Sequence, residues 1–153
     1  MERIESFCVD HTKINEGIYI SRRDGDIVTY DLRMAKPNTP PFLPNAAIHT
    51  IEHLFATYVR NSRFSGGIIY FGPMGCRTGF YLLVRDISHE DAISLVQETF
   101  KFISEYTGEI PGNTAIECGN YLEHDLETAK RLSAEMSDKL NGYSVTKLQY
   151  IQE

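Results

Sequence analysis

Tryptophan is missing from this chain, cysteine occurs three times, and no apolar stretch reaches the length needed to cross a bilayer as a helix. The three cysteines, Cys8, Cys76 and Cys118, are an odd number without the regular spacing of a disulfide framework. Positive charge is also in short supply. Fifteen Lys and Arg stand against twenty-one Asp and Glu, for a net charge of −6, and the basic residues are scattered. That balance excludes the electrostatic footprint of a nucleic-acid binder and gives no basic run for an anionic membrane surface. The opening Met1-Glu2-Arg3-Ile4-Glu5-Ser6 lacks the charged-then-apolar layout of an export signal. The expectation is a cytoplasmic protein whose thiols are reduced and free for chemistry or metal binding. Internal repeats and low-complexity tracts are absent as well.

What is present suits one domain over residues 1–153, large enough to bury roughly two-thirds of its extended surface. Gly17 to Arg22 and Asp26 to Arg33 read as two strands joined at Arg23-Asp24-Gly25. In the second, Ile27, Thr29 and Asp31 alternate with Val28, Tyr30 and Leu32, the pattern of a half-buried strand. Pro37, Pro40 and Pro41 stop regular structure, and a helix follows Pro44. Gly67 to Phe71 and Gly79 to Arg85 are two more strands. Ser88-His89-Glu90-Asp91 opens a helix with Ile93, Val96, Phe100 and Ile103 as its apolar stripe. Residues 108–119 form a loop, a further helix runs from about Asp125 to Leu140, and the tail from Tyr143 is left unassigned. Hairpin-ordered strands with helices between them predict an α+β fold, an antiparallel sheet with helices packed on one face.

His49-Thr50-Ile51-Glu52-His53, within the helix after Pro44, narrows the chemistry most. Residues four apart on a helix share a face, so two imidazoles can aim at one point while Glu52 stands beside them to move protons. A histidine on an apolar helix is more often a hydrogen-bonded core residue than a ligand, so the pair needs support from elsewhere. Cys118, past a Pro-Gly loop, supplies a soft third ligand; thiolate plus two imidazoles suits Zn²⁺ or Fe²⁺ and leaves an open position. Cys76 lies in the glycine-flanked turn Gly75-Cys76-Arg77-Thr78-Gly79, where a thiol can be presented at the lip of a cleft beside the positive Arg77. Ser6, Asp10 and His11 near the N-terminus, and Arg33 at a strand end, have ordinary explanations in solvent exposure, turn capping or a surface ion pair.

Together these segments resemble the S-ribosylhomocysteine lyase family, the bacterial autoinducer-2 synthases. The likeness runs in order from Glu5-Ser6-Phe7 and Asp10-His11, through Tyr30-Asp31-Leu32-Arg33 and Lys36-Pro37-Asn38, to the His49-to-His53 block. It continues through Pro73-Met74-Gly75-Cys76-Arg77-Thr78-Gly79-Phe80-Tyr81, Glu109-Ile110-Pro111 and Cys118-Gly119 to His124-Asp125-Leu126-Glu127 with Ala129-Lys130. The resemblance implies metal ligation by His49, His53 and Cys118, an acid/base pair of Cys76 and Glu52, and substrate contacts from Ser6, His11 and Arg33. It implies one Fe²⁺ per subunit, replaceable by Zn²⁺ or Co²⁺, and a homodimer of α+β subunits with active sites at the interface. Tyr70 and Gly72 depart from the family's usual aspartate and serine, and the chain from Ser133 onward shows no clear match.

The implied reaction cleaves S-ribosylhomocysteine to homocysteine and 4,5-dihydroxy-2,3-pentanedione, with no organic cofactor. A thioether leaves only when a carbanion forms on the adjacent carbon, so the sugar carbonyl must migrate before β-elimination. An inverted-type metallopeptidase is the rival enzyme, because His-x-x-Glu-His is also that class's signature. A metal-binding or ligand-sensing domain without turnover is the non-catalytic rival, and Tyr70 is the one feature that favours it.

Overall fold

The structure is a computed structural model that describes residues 1–151. A tight turn at Gly25-Asp26 joins β1 (Gly17–Asp24) to β2 (Ile27–Arg33). Next come α1 (Asn45–Arg60), β3 (Ile68–Pro73), β4 (Gly79–Arg85), α2 (His89–Ser104) and α3 (Leu126–Lys139). The strands form one antiparallel sheet in the order β1-β2-β4-β3, so β2 and β4 are its central pair. This is the expected α+β arrangement.

Local chemistry sets the helix ends. Pro44 precedes the first turn of α1 in extended backbone, the conformation that places a helix start directly after it. The Ser88 hydroxyl accepts from the Asp91 amide at the start of α2, and the Asp125 carboxylate accepts from the Thr128 amide at the start of α3. Each cap satisfies a donor that the first helical turn leaves without a partner.

Alternation along the strands divides the sheet into two faces. Val28, Tyr30 and Leu32 of β2, with Phe80, Leu82 and Val84 of β4, join the apolar residues of all three helices in the main core. Phe55 of α1 stacks on Phe71 of β3 at 4.0 Å, and Phe71 stacks on Phe80 at 4.9 Å, which ties helix to sheet. Burial of such rings supplies about 2 kcal/mol or more each.

The opposite face departs from the half-buried strand read from the alternation. Thr29, Asp31 and Arg33 are buried too, Asp31 completely. The tail covers them. After a short turn at Val145–Lys147, the Leu148 carbonyl accepts from the Ile20 amide at 2.7 Å, and Tyr150 stacks on Tyr19 at 4.9 Å. The Tyr150 hydroxyl then donates to Asp31 at 2.6 Å. The tail left unassigned in the sequence is thus a strap across the polar face of the sheet, and its last residues lie outside those described. Among the described residues no helix is long and apolar enough to cross a membrane.

Candidate metal centre and thiol hollow

Helical spacing on α1 brings His49 and His53 together, with ring centroids 4.6 Å apart and the rings nearly perpendicular. Each ring is fixed from behind by a main-chain carbonyl. His49 Nδ1 donates to the Glu123 carbonyl at 2.8 Å, and His53 Nδ1 donates to the Pro111 carbonyl at 2.7 Å. A carbonyl can only accept, so the proton sits on Nδ1 in both rings, and the neutral ring presents its lone pair at Nε2. Gly112 permits the second contact: its φ is +74°, and a Cβ there would stand 3.3 Å from His53 Nδ1.

Both lone pairs meet Cys118. Its sulfur lies 3.3 Å from His49 Nε2 and 3.8 Å from His53 Nε2. Metal–sulfur and metal–nitrogen bonds of about 2.3 and 2.0 Å at a tetrahedral angle put such atoms about 3.5 Å apart. The observed pair of distances brackets that value, so the donor set fits a divalent ion.

A fourth group stands beside them, His124, which the motifs in the sequence do not single out as a site residue. His124 stacks on His49 with centroids 4.0 Å apart, and the four ligand atoms of His49, His53, Cys118 and His124 all lie within 4.8 Å of one another. Thr50 holds it. The Thr50 hydroxyl donates to the Ala46 carbonyl, so its oxygen accepts from His124 Nδ1 at 2.9 Å. His124 Nε2 is buried and has no hydrogen-bond partner among the described residues. Burial, followed by the two neighbouring histidines, pushes the His124 pKa down to about 4, so the ring is neutral at physiological pH. Its signal was present in the sequence as a histidine immediately before a capping aspartate and shortly after Cys118.

Glu52 is half-buried on the same helix as the two ligand histidines, with no hydrogen bond or ion pair among the described residues. Cys76 lies elsewhere, in a hollow of about 380 Å³ lined by His11, Arg33, Pro37, Asn38, Phe42 and Thr78. The turn that carries it is pinned by main-chain bonds from Met74 to Gly79 and from Arg77 to Met74, and Cys76 itself is exposed. Arg77 has its guanidinium over the Phe42 ring, 6.0 Å from the ring centroid. The cation that reaches toward the sulfur is Arg33.

Arg33 is only 2% exposed, against the surface ion pair that its strand-end position suggested. Its Nε and Nη2 donate to the two Asp31 oxygens at 3.1 and 2.6 Å, and Nη1 donates to the Thr78 hydroxyl at 2.8 Å. Burial works against the charge, yet the Asp31 carboxylate beside it holds the guanidinium pKa above its ordinary value. His11 is half-buried in a short turn capped by Asp10, and its Nδ1 donates to the Val9 carbonyl. Ser6 is separate again, in a hollow of about 520 Å³ with Ile4, Tyr70 and Tyr81. A single chain therefore brings together His49, His53 and Cys118, and separately His11, Arg33 and Cys76, and it leaves Ser6 apart from both. Cys8, Cys76 and Cys118 are all free thiols.

Comparison with known proteins agrees in family and carries the likeness past Ser133, where the sequence motifs gave no clear match. The family model described as S-Ribosylhomocysteinase (LuxS) matches residues 4–146. A protein of Phocaeicola vulgatus named S-ribosylhomocysteine lyase is 51% identical over 140 residues, covering 88% of this chain and 87% of its own. Proteins of the same name from Finegoldia magna and Clostridium acetobutylicum are 48% and 45% identical, each alignment covering 98% of this chain and 99% of the relative.

Proposed function

This chain belongs to the S-ribosylhomocysteinase (LuxS) family, and we propose that it cleaves S-ribosyl-L-homocysteine to L-homocysteine and 4,5-dihydroxy-2,3-pentanedione, the autoinducer-2 precursor. The observation that carries the reading is the meeting of two bare imidazole lone pairs and one sulfur at metal-ligand spacing.

His49, His53 and Cys118 would hold the metal, natively Fe²⁺ with Zn²⁺ or Co²⁺ as substitutes, one per subunit. A bound ion supplies Lewis acidity that stabilises negative charge on the sugar oxygens as the carbonyl moves. Cys76 and Glu52 carry protons between neighbouring carbons and oxygens, which shifts the carbonyl from carbon one to carbon two and then to carbon three. Removal of the carbon-four proton then breaks the carbon-five–sulfur bond. The electron pair leaves on sulfur as the homocysteine thiolate, and the resulting enol tautomerises to the dione. Ser6, His11 and Arg33 hold the substrate.

Ser6 lines a hollow that shares no residue with the thiol hollow of the same chain, which supports a homodimer in which each site draws on both subunits. The composition and reduced cysteines suit a cytoplasmic enzyme. The test is thiol release from S-ribosylhomocysteine by anaerobically Fe²⁺-loaded protein. Homocysteine should appear with wild type and fall by orders of magnitude with Glu52→Gln. Peptide hydrolysis without homocysteine release would replace this reading with the metallopeptidase one.

A further inference from the structure

A buried line of hydrogen bonds ends on the Cys76 sulfur. It starts at Tyr150 in the tail, whose hydroxyl donates to Asp31, and Asp31 holds Arg33 through both carboxylate oxygens. Arg33 Nη1 donates to the Thr78 hydroxyl, and Thr78 Oγ1 lies 3.0 Å from Cys76 Sγ. Asp31, Arg33 and Thr78 are at most 2% exposed, so water does not compete for these bonds.

Proton accounting fixes the direction of the Arg33–Thr78 link. The guanidinium can only donate, so the Thr78 oxygen accepts from it. The hydroxyl keeps one hydrogen of its own. Arg33 and Cys76 are its hydrogen-bond partners among the described residues, so the sulfur is the acceptor within that hydrogen's reach. A hydroxyl polarised by a buried cation and donating to sulfur favours the thiolate over the thiol. Sheet register makes this possible. Gly79 pairs with Arg33, and a Cβ on Gly79 would fall 2.2 Å from the Leu32 carbonyl oxygen, so only glycine lets Thr78 lie this close to Arg33.

We propose that Thr78 is a positioning residue for Cys76, relaying the buried Arg33 charge to the sulfur and holding it as a thiolate ready to accept a proton. The proposal rests on the reading of Cys76 as a proton carrier, and its test can fail separately from that reading. Iodoacetamide alkylation of the substrate-free protein is followed from about pH 5 to 9, with Cys76 resolved from Cys8 and Cys118 by peptide mass spectrometry. Thr78→Val keeps the shape and removes the hydroxyl. It should slow Cys76 alkylation at neutral pH on the order of tenfold and move the onset of reactivity to higher pH, while Thr78→Ser restores wild-type behaviour. Thr78→Ala, which adds no bulk, carries the same contrast if the valine variant does not fold. A Thr78→Val or Thr78→Ala profile superimposed on wild type overturns the relay, whatever the lyase assay gives. If the contrast holds but no homocysteine is released, the relay stands and the lyase reading falls.

Discussion

His124 lies face to face with His49, ring centroids 4.0 Å apart and planes within 16° of parallel. Two imidazoles bound to one ion at about 2.0 Å radiate from it, so their rings splay apart and do not stack at this distance. His49 and His53, nearly perpendicular at 4.6 Å, satisfy that condition. His124 therefore buttresses the centre, holding the plane of His49 while Thr50 holds its own.

From this follows a graded response to substitution. His49→Ala, His53→Ala or Cys118→Ala should abolish stoichiometric Zn²⁺ or Co²⁺ binding. His124→Ala should retain one ion per chain and weaken affinity by roughly 10- to 100-fold, the usual effect of losing a group that orients a ligand. Chelator competition read by metal analysis separates the two cases. Loss of the ion in His124→Ala would make that residue a ligand in its own right.

The strap across the sheet gives a second expectation. Tyr150→Phe leaves the Asp31 carboxylate short of one buried hydrogen bond and should cost about 1–3 kcal/mol in urea unfolding. Asp31→Ala goes further, because it leaves the Arg33 charge buried without its partner, and a loss of about 3–5 kcal/mol is expected. Equal, small losses for both variants would mean that Arg33 finds water when Asp31 is removed.

Alkaline stability should reflect the buried tyrosines. Burial raises the pKa values of Tyr30 and Tyr143 from the ordinary 10.0 to about 12, and raises that of Tyr150 as well. The folded state thus binds these protons more tightly than the unfolded chain. The stabilisation is complete below about pH 10 and is lost as pH climbs from 10 through 12. Unfolding free energy measured across that window should fall steeply, and Tyr143→Phe should flatten the fall. A flat profile in the wild type would contradict the burial of these hydroxyls.

The sequence disclosed the parts of this molecule that depend on local period and punctuation. The strand ends near Gly17, Arg33, Gly79 and Arg85, the cap at Ser88, and the helical pairing of His49 with His53 were all legible from neighbouring residues. What escaped depends on contacts between distant segments. The alternation in β2 correctly placed Tyr30 and Leu32 in the core, but nothing local tells that Tyr150 covers Asp31 from far along the chain. Arg77 stood out as the cation beside Cys76 because it is adjacent in sequence. The fold turns it toward Phe42 and brings Arg33 to the thiol hollow through strand register. His124 was hidden for the same reason, since it lies in the loop before α3 and its partners Thr50 and His49 lie on α1.

Tyr70 and Gly72, where the resemblance leads one to expect an aspartate and a serine, are physically linked. A Cβ built on Gly72 would fall 2.2 Å from the Tyr70 hydroxyl and 2.6 Å from its ring, so the tyrosine occupies the space a serine side chain would need. Tyr70 is 53% exposed and has solvent to swing into, at the cost of its packing over Gly72. Gly72→Ser should therefore destabilise by about 1 kcal/mol in the wild-type background and be close to neutral in Tyr70→Asp, where the ring is gone. A double-mutant cycle measured by urea unfolding should give a coupling of about 0.5 kcal/mol or more, as residues in contact do. Additive effects would mean that the ring leaves freely and that Tyr70 and Gly72 tolerate replacement independently.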